Sequence, residues 1–211
     1  MPRISLKGLA NFMTSGAARQ RKILRDYKYP DPEGAAQAGY YRDARNCILE
    51  YHREGREEAW LYERHRHLRG QSIVAPPQVK PRLENNARAV RQYARNFSGR
   101  NFTILENVPL ALAFSGVTVS VYPDLHVNER NREKIIKLDF SKQPTNDQAI
   151  RIMSQAMFEA QVQAGMGLTS ASVLYLDVPR SQEYRGARAG SRMLREIEAA
   201  CENITAIWDG I

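Results

Sequence analysis

The stretch GVTVSVYPDLHVNERNREKIIKLDF, residues 116–140, decides the fold. Val117, Val119 and Val121 alternate with Thr118, Ser120 and Tyr122, the period-two pattern of a strand with one buried face. Ile136, Leu138 and Phe140 alternate in the same way with Lys137 and Asp139, and Ser141 continues the polar phase; Ile135 alone breaks the pattern. The polar run from Asn128 to Glu133 has the composition of a hairpin loop. The expectation is a strand over 117–125 paired antiparallel with a strand over 134–140. Such a pair puts Asp124, Lys137 and Asp139 on one side of the sheet, within one or two residue steps of each other.

Further strands are expected on either side, at 102–106, 109–114 and 172–178, with Ser115-Gly116 as a tight turn. Helical spacing of Ile150, Met153, Met157 and Phe158 predicts a helix over 147–164, and a last helix is expected over 189–201. Upstream of residue 101 the texture is helical. Ser5 reads as an N-cap, and helices are expected at 17–27, 35–54, 57–68 and from Leu83 to Phe97. Gly70, Pro76, Pro77 and Pro81 make 70–81 read as an extended connector. The fold class is thus α/β of the α+β type: an N-terminal helical region, 1–100, then a mixed β-sheet with flanking helices in β-β-β-α-β-α order over 101–211.

Charge follows the same division. The net charge is +8; residues 1–100 hold 20 Lys and Arg against 10 Asp and Glu, while residues 101–211 hold 11 against 13. Arginine supplies 24 of the 31 basic residues, and its planar fork suits phosphates and carboxylates. The densest cluster, Arg19, Arg21, Lys22, Arg25 and Lys28, points to nucleic acid or an acidic protein as partner. The segment from Arg180 to Arg192 reads as a loop leading into the N-terminus of the last helix, and Arg185, Arg188 and Arg192, interleaved there with glycines, are second candidates for phosphate contact. The bland alternative is a set of solvated helix faces paired with nearby glutamates.

Other chemistries find no support. Cys47 and Cys201 form no Cys-x-x-Cys pair, so the pattern is not that of a disulfide framework or a thiolate zinc site, and a reducing, cytoplasmic compartment is expected. No apolar run approaches the roughly 20 residues of a membrane span. His52, His65 and His67 fall at no zinc spacing, and neither a phosphate-cradling glycine loop nor a nucleophile elbow is found.

Over roughly residues 101–178 the chain resembles the PD-(D/E)xK nuclease superfamily, in particular its RecB-like branch. The resemblance rests on Pro123-Asp124, on the strand Ile135-Ile136-Lys137-Leu138-Asp139-Phe140, on a following helix carrying Gln155, and on Val173-Leu174-Tyr175-Leu176. It implies a restriction-endonuclease-like core in which Asp124 and Asp139 bind Mg²⁺ or Mn²⁺, a lysine assists hydrolysis of DNA, and Gln155 supports the site. Glu106 stands where some members place an additional acidic ligand. Ser141 occupies the position at which the family carries lysine, which leaves Lys137 and Lys142 as the candidate ammonium groups. The alternative is a non-catalytic subunit of a larger complex that binds nucleic acid or protein with a degenerate nuclease fold.

Overall fold

A computed structural model describes residues 1–31, 39–186 and 191–211. Ser5 closes a short strand, β1 (Arg3–Ser5), and caps α1 (Leu6–Met13) by accepting the Gly8 N–H at 3.0 Å. There follow α2 (Ala17–Lys28), α3 (Arg42–Arg53), α4 (Glu58–Val74) and α5 (Lys80–Phe97). The strands are β2 (Thr103–Ile104), β3 (Leu110–Phe114), β4 (Val117–Val121), β5 (Leu125–Glu129) and β6 (Arg132–Asp139). Then come α6 (Asp147–Gln163), β7 (Val173–Asp177), β8 (Gln182–Arg185) and α7 (Ser191–Trp208).

The strands form two mixed sheets rather than one. The smaller has the order β1-β4-β3 with β1 parallel to β4; the larger has the order β2-β5-β6-β7-β8 with only β6 and β7 parallel. Residues of opposite parity on the larger sheet enter two cores. Leu125, Val127, Ile136, Leu138, Leu174 and Leu176 pack with α3, α4 and α5. Ile135, Val173 and Tyr175 pack on the other side with α1, α6, α7 and the small sheet. Ile135 breaks the apolar alternation because β6 is central and covered on both faces, as buried parallel strands are.

Several expectations need correction. The strand expected over 117–125 is two strands in different sheets, because Pro123 has no N–H to continue the ladder after β4. The partner of β6 is β5, of which Leu125 falls in the expected strand and Asn128 and Glu129 in the expected loop; the turn is only Arg130-Asn131, both at positive φ, 53° and 59°. The connector expected over 70–81 shrinks to 75–79, since α4 runs to Val74 with Leu68 and Ser72 buried, and Pro81 lies in the first turn of α5, where a missing N–H costs nothing. Residues 182–185, read as loop, pair antiparallel with β7. The last helix extends to Trp208, and the start of the helix expected at residue 35 lies outside the described residues.

The division at residue 100 is one of charge, and packing crosses it. Ile4, Leu9, Phe12 and Leu24 sit in the same core as Val119, Met153 and Ile204, so β1, α1 and α2 complete the small-sheet layer, while α3–α5 cover the other face.

Candidate functional site: an acidic strand end closed by the chain's own donors

Asp124, Asp139 and Asp177 come together by topology. Asp124 precedes β5, Asp139 ends β6, and the parallel register sets Asp139 against Asp177 at the end of β7. Asp139 and Asp177 are buried, and Asp124, half-buried as a residue, has a side chain only 6% exposed. Each carboxylate therefore needs partners, since an unpaired buried charge is costly.

Asp124 finds three. Its Oδ2 accepts the Leu138 N–H at 2.8 Å and stands 3.0 Å from Lys137 Nζ. Its Oδ1 lies 2.7 Å from Arg45 Nε on α3, at ion-pair distance without an aligned N–H. The sequence puts Lys137 here by strand parity; nothing in the sequence marks Arg45, which arrives from a helix nearly eighty residues upstream. Lys137 also donates to the Tyr122 carbonyl at 3.2 Å.

Asp139 is held without a cation. The Ser141 N–H donates to Oδ1 at 2.9 Å, and the hydroxyls of Thr145 and Tyr175 both donate to Oδ2, at 2.6 and 2.5 Å. Burial pushes the carboxyl upward, but these donors outweigh it and hold it below the ordinary carboxylate range. Tyr175 is driven the other way, raised by burial and then by the Asp139 charge, so its phenol stays protonated as a donor. Asp177, 2% exposed, takes both of its oxygens to Arg180 Nη1, at 3.0 and 2.9 Å, and Arg180 also donates to the carbonyls of Ser141 and Lys142. Tyr41, just before α3, donates to the Phe140 carbonyl at 3.2 Å, tying the helical layer to the same strand end.

The remaining expected site residues do not converge here. Lys142 contributes its backbone carbonyl, and its side chain is exposed. Glu106 is exposed, and its carbonyl accepts from His126 at 2.6 Å. Gln155 is buried in α6 but donates to Glu159 at 2.6 Å, and to neither aspartate. As arranged, the donor set does not suit a divalent cation: the oxygens of Asp124 and Asp139 face chain donors, and no cluster of three or more His, Cys, Asp or Glu side chains among the described residues could hold a metal. Arg45, Thr145, Tyr175, Asp177 and Arg180 are the members that sequence reasoning missed. Only Tyr175 and Asp177 carried a signal, since they share the parity of Asp139 on the neighbouring strand.

The basic candidates divide in two. On α2, Arg19, Arg21, Lys22 and Arg25 are exposed, and among the described residues only Lys22 has a carboxylate at ion-pair distance, Asp26 at 3.4 Å. Lys28 is structural: it donates to the carbonyls of Trp208 at 2.7 Å and Ile211 at 3.3 Å. Arg185 pairs with Glu183 and Arg192 with Glu196, at 2.8 and 2.9 Å, while Arg188 lies outside the described residues. No helix among the described residues is long and apolar enough to cross a membrane.

No known family model matches the chain, and no curated protein matches it.

Proposed function

We propose that this protein binds nucleic acid through its arginine-rich helices, on a restriction-endonuclease-like core whose acidic strand end is a structural lock and not a hydrolytic centre. One observation carries the reading: Asp124 and Asp139 are satisfied by Arg45, Lys137, Leu138, Ser141, Thr145 and Tyr175, with Ser141 at the position where the resembled family has lysine. The exposed cations Arg19, Arg21 and Arg25 on α2 support phosphate contact, since none has a carboxylate at ion-pair distance among the described residues. On this reading the chain is the non-catalytic, binding member of a larger assembly.

A second reading, Mg²⁺- or Mn²⁺-dependent hydrolysis of DNA, is favoured by the 3.0 Å approach of Lys137 to Asp124 with Asp139 two positions along β6. It requires the metal to displace both Arg45 and Lys137 from Asp124. The two separate in one experiment. Purified protein is titrated with Mg²⁺ and Mn²⁺ while its thermal stability and its cleavage of linear and single-stranded DNA are followed. The binding reading expects salt-dependent DNA binding, no metal-induced stabilisation and no cleavage. Cleavage that disappears in Asp139→Ala establishes the second reading, and absence of any nucleic-acid binding defeats both.

A further inference from the structure

Between Glu63 and Glu84 the chain carries Arg64, Arg66, Arg69, Lys80 and Arg82 and no carboxylate. This acid-free stretch is the tip of the antiparallel helical hairpin α4–α5, whose pairing is seen in the 2.9 Å contact between His65 Nδ1 and the Ala87 carbonyl. Leu68, Ser72 and Leu83 anchor the two limbs, and Ala75 and Val79 pack against the core. Ile73 and Val74, in the same turn, do the opposite: they are 78% and 86% exposed, the two most exposed large aliphatic side chains of the described interior of the chain. Pro76 and Pro77 follow and are also exposed. Arg66, Arg69 and Lys80 are exposed on either limb, and none is at ion-pair distance from a carboxylate among the described residues.

We propose that this hairpin tip is a wedge for double-stranded DNA, with Ile73 and Val74 entering the minor groove at a base step and Arg66, Arg69 and Lys80 on the flanking phosphates. The proposal rests on the nucleic-acid reading above and deepens it by naming the form of nucleic acid and the contacting element. Charge complementarity argues for a polyanion: cations on both limbs bracket the apolar pair, and no acid intervenes. Geometry argues for a duplex. Helical rise puts Arg69 and Arg66 roughly 7 and 12 Å along α4 from Val74, a spacing that an arginine side chain bridges to phosphates on both sides of one step. Aliphatic and proline side chains backed by arginines are the usual means of prising a base step apart. Two small aliphatic side chains without an accompanying Trp or Phe are a poor anchor for a lipid surface.

The test uses the full chain and a fluorescent duplex containing 2-aminopurine, with single strands of the same sequence and phosphatidylserine vesicles as comparison. All five side chains are exposed, so Arg66→Ala/Arg69→Ala/Lys80→Ala and Ile73→Ser/Val74→Ser should fold, as their circular dichroism will verify. The triple variant is expected to lower the slope of log affinity against log salt by about 2 to 3, close to 0.9 per phosphate lost. The double variant is expected to keep that slope, to bind duplex about tenfold more weakly, and to lose the rise in 2-aminopurine fluorescence that marks an opened step. Tip variants that bind duplex like the wild type overturn the wedge and leave the nucleic-acid reading intact. A wild type that binds no nucleic acid removes the parent reading along with it, and tip-dependent binding to vesicles in preference to DNA replaces the proposed occupant by a lipid surface.

Discussion

Arg45 Nε stands 2.7 Å from Asp124 Oδ1, so that a helix of the basic half and the first residue of the β5–β6 hairpin share one buried charge. Among the described residues Asp124 is also the sole carboxylate partner of Lys137, at 3.0 Å. Asp124→Ala leaves two cations facing each other with no counter-charge and is expected to cost about 3 kcal/mol in urea unfolding. Arg45→Met should cost only about 1 kcal/mol, because Arg45 is 32% exposed and Lys137 and the Leu138 N–H still satisfy the carboxylate. A double-mutant cycle should return a coupling above about 0.5 kcal/mol. Simple additivity would mean that the pair does not join the two layers.

Asp139 draws its stabilisation from hydroxyl and amide donors. Its folded carboxyl titrates below the ordinary range, so the contribution is fully present above the unfolded pKa and is lost as pH falls through the folded one. Tyr175→Phe and Thr145→Ala each remove one donor to Oδ2. Each is expected to move the Asp139 titration upward, read from its carboxyl carbon by NMR, and to cost about 1 kcal/mol at neutral pH. An unmoved titration in both variants would show that the donors do not set the charge state.

How much of this was legible in sequence depends on how local the cause is. Strand parity put Lys137 and Asp139 on one face, and Ser5 as a cap, because both follow from neighbouring residues. Strand parity also brings Asp124 to Lys137, though through a strand expected over 117–125, whereas Pro123 breaks that strand and Asp124 leads β5 in the other sheet. The sequence does not mark β5 as a strand of its own, because polar His126 is buried by contacts unseen in sequence, to the Glu106 carbonyl and to Glu133, and Asn128 and Glu129 fall in the expected loop. Arg45, Thr145 and Arg180 were out of reach for the same reason. Their roles are set by tertiary approach, and in the sequence they look like any exposed helix or loop residue.

His52 gives the fold a second acid-sensitive point. Burial, and then the positive charge of Arg100, lower its pKa from 6.5 to about 4, and its Nε2 lies 2.6 Å from the Tyr93 hydroxyl. The fold therefore prefers neutral imidazole. Between about 6.5 and about 4 the unfolded chain binds the proton that the folded chain resists, so stability declines as pH falls through that window and levels below it. His52→Gln should remove a decline on the order of 2 kcal/mol in that interval, measured by urea unfolding at a series of pH values. A variant whose profile overlays the wild type would assign the acid sensitivity elsewhere.

Gly8 tests whether the basic N-terminal segment is part of the core or an appendage to it. A Cβ at this position would lie 2.7 Å from ring carbons of Tyr27, closer than real Cβ contacts come. The ring cannot retreat freely, since its hydroxyl is hydrogen-bonded to Ser5 Oγ at 2.5 Å, and Ser5 in turn caps α1 through Gly8. Alanine ordinarily strengthens a helix interior by about 1 kcal/mol over glycine. Here the clash should reverse the sign, with a net loss of about 1 to 3 kcal/mol from overpacking. Tyr27→Leu in the Gly8→Ala background should recover part of that loss by vacating the ring position. If Gly8→Ala stabilises the protein instead, α2 yields without resistance, and its arginines ride on a loosely docked helix instead of a surface held in register by the small-sheet core.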